Sequence, residues 1–276
     1  MGRLRGRRAR TGPRVFAASL LAVFFLFPFY YMVLQSLTPW DRVDASILPG
    51  RISARSYSYL MDNGGAGNRF MWIRSLLNSL VVSGGTTVIA VATGLVLGYA
   101  VTKLRFRGRA AIYNLLLFQM FFPSIILLVP QYMLMQPLVN SFPGMILPTS
   151  VSVWAIFMYI NYFKTLPSEV FEAARIDGAG ELRIAFGIAL PVCKTVSVIV
   201  FLSIFLSRWS ELMWDMLIAP DIRMQTLNVL ISTQFKPMGN LPGPLYAASA
   251  ILTLPIVVLF LAFSRSFRQG ISMQLK

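Results

Sequence analysis

LPSEVFEAARIDGAGELRIAFGIALP, residues 166–191, is a polar, helix-forming interruption in a chain that otherwise consists mostly of long apolar runs. Pro167 suits a first helical position, where no backbone N–H is needed, and Glu169 and Glu172 fall early, where carboxylates favour the positive end of a helix. Asp177 and Gly178 predict its end, because glycine takes the left-handed conformation of a helix C-terminus at little steric cost. A second short helix is expected from about Glu181, and Pro191 marks the return to an apolar run. Val170, Phe171 and Ile176 are apolar beside Ala173 and Ala174, whose small side chains let another backbone approach closely. That surface suits docking to a partner, although a solvated amphipathic loop carries the same pattern.

The runs on either side set the class. Of 276 residues 56% are hydrophobic and 13% charged, with mean hydropathy +0.66, too little polar surface for a soluble globule. Crossing a hydrocarbon core takes about 20 helical residues. Six runs qualify, at about 15–37, 76–101, 111–135, 145–163, 192–217 and 246–267. The expected fold is therefore all-α, a single transmembrane domain over 1–276 with six spans and the polar segment 164–191 between spans four and five. The first run is longer than the apolar core of a signal peptide and has no clear small-x-small cleavage site, so it is read as a retained span. Pro28, Gly94, Gly98, Pro123, Pro130, Pro148 and Pro255 lie inside runs and predict bends or close packing.

The net charge of +15 sorts by loop. With the N-terminus inside, 17 of the 25 basic residues face the cytoplasm: six before the first span, four in Lys103–Arg109, four around the polar segment (Lys164, Arg175, Arg183, Lys194) and three at the end. Both termini and the segment 164–191 are thus expected on the cytoplasmic side. Two outer loops follow, about 38–74 with Pro39, Pro49 and Gly64-Gly65-x-Gly67, and about 218–245 with Pro220, Pro237, Pro242 and Pro244. Charge placed in this way gives no reason to invoke nucleic acid.

Glu172-Ala173-Ala174, then Asp177-Gly178-Ala179, then Phe186, Ile188, Leu190 and Pro191, resemble the EAA loop of permease subunits in binding-protein-dependent ABC importers. Asp before Gly, with Leu166-Pro167-x-Glu169 leading in, is similar to the carbohydrate-uptake branch, in particular the second permease of maltose-type systems. Asn78-Ser79-Leu80, Gly98-Tyr99-Ala100 before the basic loop, Trp209-Ser210-Glu211 (a family WNE with Ser for Asn), Leu254-Pro255 and Gln269-Gly270 extend the likeness over nearly the whole chain. Two departures are Cys193-Lys194-Thr195, where many relatives carry Pro, and Gly180, where Ser or Thr is common. The resemblance implies a cytoplasmic coupling loop docked in a cleft of an ATPase through Phe171, Glu172, Ala173, Ala174, Asp177 and Gly178. It also implies a bacterial or archaeal inner-membrane location, a second homologous permease, two ATPase subunits that bind ATP and Mg, and an extracytoplasmic substrate-binding protein. The cargo implied is a carbohydrate or related polyol.

Catalytic chemistry is missing from the sequence. Without His, and with one Cys, the usual zinc sites and Ser-His or Cys-His pairs cannot be built, and no G-x-x-x-x-G-K-[ST] phosphate loop occurs. No cofactor or metal site is expected in this chain, and ATP hydrolysis is assigned to another subunit. A rival reading is an ion-coupled secondary transporter or channel using Glu211 and Asp215. For the importer, Ser203, Ser207 and Ser210 or Glu211 recur three or four residues apart, which puts them on one face of the fifth span, with Ser207 roughly 20 Å from the cytoplasmic end near Lys194 at 1.5 Å per residue. They form the expected substrate path, with Trp209 available to stack on a sugar ring.

Overall fold

The computed structural model describes residues 2–48, 50–62, 69–235 and 242–274, with side chains described from 14 to 263 within those ranges. Pro49, the Gly64-Gly65-x-Gly67 stretch and Pro237 lie outside the described residues, as does the side chain of Gln269. In chain order the α-helices are α1 (Gly2–Ser36), α2 (Arg55–Asp62), α3 (Met71–Lys103), α4 (Arg109–Gln119), α5 (Leu128–Met135), α6 (Phe142–Ile146) and α7 (Val153–Thr165). They continue as α8 (Glu169–Ile176), α9 (Glu181–Ile184), α10 (Leu190–Val192), α11 (Lys194–Trp209), α12 (Met213–Ile218), α13 (Leu227–Gln234) and α14 (Pro242–Gln274). No strand occurs among the described residues.

Three stretches are long and apolar enough to cross a membrane as single helices: Arg14–Ser36, Met71–Lys103 and Pro242–Phe263. Three more qualify only as bent pairs. The continuous helix expected over 111–135 is instead broken, with a 98° bend between Arg109–Gln119 and Ser124–Leu138. Pro123 explains the break, because it has no N–H to offer and disfavours helix at the residue before it. A 43° bend separates Phe142–Thr149 from Val153–Thr165, beside Pro148. Ser152 then restarts the chain as the N-cap of α7, its hydroxyl accepting from Ala155 N at 3.2 Å.

The run 192–217 is likewise not one helix. The chain turns by 89° at Cys193, between Glu181–Val192 and Lys194–Trp209, and stops again at Ser210 before α12. Before the turn, Ala185–Ala189 is π-helical. Pro191 accounts for that widening, since its ring would collide with the carbonyl four residues back in an α-helical ladder. Pro28 and Pro255, by contrast, lie within unbroken helices.

Two compact units result: Met1–Trp72 with Ile231–Leu254, and Ile73–Leu230 with Pro255–Lys276. In the first, the segment after α1 folds against helix ends rather than trailing as a loop. Tyr31 and Tyr246 hydroxyls both donate to Asp44 Oδ1, at 2.9 and 2.8 Å. The indole N–H of Trp40 donates to Ser56 Oγ at 3.0 Å, and Gly243 leaves room for both: a Cβ there would sit 2.9 Å from Ser56 Oγ. Residues 14–30 of α1 are exposed over the whole helix circumference, including Phe16, Phe24 and Phe25. A helix apolar on every side needs an apolar medium or a partner around it.

The second unit has one main core, shared by α3 (Ala90, Leu95, Tyr99), α7 (Ala155, Tyr159, Phe163), α8 (Phe171, Ala174), the stretch 184–193 and α11 (Val196, Val200, Ile204). Small residues bring α3 and α7 together. A Cβ at Gly98 would lie 2.6 Å from Tyr159 Cβ and 3.3 Å from Ile156 O, and one at Gly94 3.1 Å from Ala155 Cβ. Gly98→Val should therefore lower the stability of the purified chain by about 1–3 kcal/mol through overpacking. Gly84→Ala, where a Cβ meets nothing within 4 Å, should leave it unchanged or raise it. Thermal unfolding of the two variants in one detergent checks this.

Candidate functional site

Two places in the second unit gather the residues singled out from the sequence. The first is the segment 164–191. Helix α8 starts two residues later than expected: Ser168 is its N-cap and Glu169 its first residue, so Pro167 precedes the cap. Its end is a Schellman turn. Ala179 N donates to Ala174 O and Gly178 N to Arg175 O, both at 3.0 Å, and Gly178 has φ +80°.

The six residues expected to dock do not share one face. Phe171 is 1% exposed and Ala174 8%, both in the core, whereas Glu172, Ala173, Asp177 and Gly178 are exposed. Phe171 lies against Tyr99 and Phe163, with ring centroids 5.7 and 6.3 Å away, and under Lys103 Nζ at 5.2 Å. The outward surface also includes Val170 and Ile176, the latter 87% exposed.

A polar cluster fixes how α8 meets α9. Arg175 Nε donates to Glu181 Oε1 at 2.8 Å, and Arg175 Nη2 donates to Tyr99 OH at 3.0 Å, which in turn donates to Glu181 Oε2 at 2.6 Å. Lys103 Nζ donates to Leu166 O at 2.7 Å and holds the other end of the segment. The hydrogen bond from Arg175, then that from Tyr99, holds the Glu181 carboxyl below its usual range. A depressed carboxylate stabilises the fold above its unfolded pKa, and that contribution is lost as pH falls through the folded value. Glu181→Gln should accordingly cost at most about 1 kcal/mol at neutral pH, given the exposure of the pair. The gap from the parent, read by thermal unfolding, should close in acid, below the ordinary Glu range near about 4.3.

The second place is a cavity of about 290 Å³ lined by Thr86, Thr149, Ser152, Trp154, Ser203, Ile204, Ser207, Arg208 and Glu211. Of the residues expected on the substrate path, Ser203, Ser207 and Glu211 are here. Ser210 is not, because α11 ends at Trp209 and the Ser210 hydroxyl donates back to Leu206 O and Ser207 O. Trp209 is 3% exposed and stacked on Phe205, with centroids 5.5 Å apart. The aromatic ring on the cavity is Trp154 instead, which sequence reasoning passed over because it opens α7, a helix with no polar periodicity to draw attention.

Glu211 and Asp215 are both engaged in structure. Glu211 Oε1 accepts from Leu212 N and Trp214 N, at 3.1 and 3.3 Å, closing the start of α12. Asp215 forms a buried ion pair with Arg208 Nη2, which also donates to Met145 O at 3.1 Å. Arg208 Nε and Nη1 have no partner among the described residues. Asn78 and Ser79, quoted above for the resemblance, bind the loop beyond α12: Asn78 Nδ2 donates to Arg223 O and Gln225 O, and Ser79 Oγ accepts from Leu227 N.

Comparison with known proteins agrees over the whole length. Residues 90–273 match the family described as binding-protein-dependent transport system inner membrane component. The arabinooligosaccharides transport system permease protein AraQ of Bacillus subtilis (strain 168) is 30% identical over 260 residues, 92% of this chain and 91% of the relative. The sn-glycerol-3-phosphate transport system permease protein UgpE of Yersinia pestis is 30% identical over 274 residues, 95% of this chain and 97% of the relative. The fold is also that of a chain in the crystal structure of a bacterial ABC transporter involved in the import of the acidic polysaccharide alginate, with TM-score 0.82 at 19% identity, covering 95% of this chain and 97% of that one. The chain belongs to the family of inner membrane components of binding-protein-dependent transport systems.

Proposed function

We propose that this chain is a permease subunit of an ATP-driven importer and forms half of a translocation path for a carbohydrate, polyol or glycerol-phosphate-type solute. It would cross the inner membrane six times, through α1, α3, the bent pairs 109–138 and 142–165, α11 and α14, with both termini and the coupling loop 164–191 cytoplasmic. A second homologous permease completes the path. Two ATPase subunits, which bind ATP and Mg, lie on the cytoplasmic side, and a substrate-binding protein delivers cargo from outside.

One observation carries this reading: α8 roots Phe171 and Ala174 in the core while Val170, Glu172, Ala173, Ile176 and Asp177 remain outside. Val170 and Ile176, 47% and 87% exposed, leave apolar surface on the side away from that buried anchor. A helix that presses a partner and must pass its movement to the spans needs both features. The rival use of Glu211 and Asp215 as ion-coupling acids is less favoured, because the first caps α12 and the second is paired with Arg208. Glu172→Lys should lose ATPase association at least about tenfold, since placing a wrong charge in an interface costs more than about 1.4 kcal/mol. Co-purification and uptake both read this, and a variant with normal assembly and normal uptake would remove Glu172 from the docking face.

The cavity is the proposed cargo contact. Its hydroxyls (Thr149, Ser152, Ser203, Ser207), the Glu211 carboxylate and the Trp154 ring supply donors, acceptors and an apolar platform for a hydroxylated ring. Ser207→Leu should reduce uptake severalfold with ATPase assembly intact. Ser210→Leu, outside the cavity, should not. Equal transport by both variants would move the path elsewhere.

A further inference from the structure

The inner end of α3, the start of α4 and the end of α7 enclose a cavity of about 540 Å³ that no transport role uses. Its lining has two parts. Val101, Phe106, Ala110, Tyr113 and Ile160 make an apolar floor, and Arg109 and Lys164 stand at its edge. The chain reaches this arrangement through Gly108, whose φ of +91° reverses the path between α3 and α4 and brings Arg109 back towards α7.

The two cations lack anionic partners. Among the described residues no carboxylate lies within ion-pair distance of Arg109 or Lys164, nor of Arg105 or Arg107 in the same loop. Lys164 Nζ donates to the Tyr113 hydroxyl at 3.4 Å and lies 4.8 Å from its ring centroid. Arg109 also borders a neighbouring cavity with two acids, Glu181, which is bound by Arg175 and Tyr99, and Glu172, which lies beyond ion-pair distance. Two unpaired cations above an apolar floor are complementary to a phosphodiester joined to hydrocarbon chains.

We infer that this groove binds one anionic phospholipid of the cytoplasmic leaflet, its phosphate between Arg109 and Lys164 and its acyl chains along Phe106, Ala110 and Tyr113. The leaflet assignment rests on the orientation proposed above. The volume falls within the roughly 300–1,000 Å³ of small-molecule sites, and a basic pocket between helices at the inner membrane surface suits an anionic headgroup. A zwitterionic lipid would bring its own ammonium group next to two cations. Lys164 lies two residues before Leu166, whose carbonyl is held by Lys103, so the bound lipid would brace the entry to the segment 166–191.

The test is retention of lipid by the purified importer complex. After delipidation in detergent and incubation with equal phosphatidylglycerol and phosphatidylethanolamine, native mass spectrometry counts bound lipid. The parent should retain phosphatidylglycerol selectively. Arg109→Gln with Lys164→Gln should lower it about tenfold or more. Ala110→Phe, at an exposed position that fills the floor without entering the core, should do the same. Arg107→Gln removes a charge from the same loop but not from the groove, and should retain lipid like the parent. Excess glycerophosphoglycerol, the headgroup without chains, should not displace it.

Equal loss in Arg107→Gln would mean diffuse surface attraction and overturn the site. Equal retention of both lipids, full retention by the Ala110→Phe variant or displacement by the chainless headgroup would also overturn it. Orientation is read separately, by labelling Arg107→Cys in a Cys193→Ser background with an impermeant thiol reagent on intact cells. Labelling there would refute the leaflet assignment, while retention in detergent still decides the groove.

Discussion

The second unit depends on the burial of one side chain, Phe171, in a nest of aromatic rings. Tyr99 from α3 and Phe163 from α7 flank it, and Tyr159 stacks on Phe163 with centroids 6.2 Å apart. Full burial of a phenylalanine is worth about 1.5–3 kcal/mol, and the aromatic pairings add to that. The consequence is mechanical as well as energetic. Helix α8 is short, eight residues, and would be marginal alone. Anchored through Phe171, it cannot shift without disturbing rings that belong to α3 and α7. Interiors packed at this density transmit displacement rather than absorb it.

Close approach of backbones makes that nest possible. Gly98 sits one residue before Tyr99 and has no space for a Cβ against Tyr159, so the same turn of α3 supplies both the contact and the ring. The polar cluster then sets the angle at which the chain leaves. Arg175, Tyr99 and Glu181 form a closed set in which each group has a partner of complementary character. Gly178 provides the positive φ that lets α8 end before Glu181 returns to Arg175. Sequence order thus becomes geometry through a turn, an aromatic wedge and an ion pair within twenty residues.

Some of this was legible in the sequence. The end of α8 at Asp177 and Gly178 is a local matter of backbone conformation, and local rules suffice for it. The polar segment between apolar runs was equally plain. Its inward face was not, because Val170, Phe171 and Ile176 are all apolar, and only α3 and α7 decide which of them is covered. For the same reason Ser210 was grouped with Ser203 and Ser207: the spacing assumes a helix that in fact stops at Trp209. Trp154 and Thr86 join the cavity from helices far away in sequence, which periodicity within one run cannot detect.

The breaks in the helices lead to a last consequence. In hydrocarbon every backbone N–H and C=O needs an internal partner, so non-helical backbone at membrane depth survives only against protein or water. Residues 120–123 interrupt a run that composition assigns to a span, and apolar side chains at the break, Phe121 at 84% and Ile125 at 61% exposed, are not covered by this chain. In α4 no residue is buried, and only its Tyr113 and Leu116 side packs against Val101, Ile156 and Ile160 among the described core clusters. The N–H groups of Met120, Phe121 and Phe122 are bonded within the turn, to the carbonyls of Leu117, Phe118 and Gln119, so what this face lacks is apolar cover, which the second permease proposed above would supply.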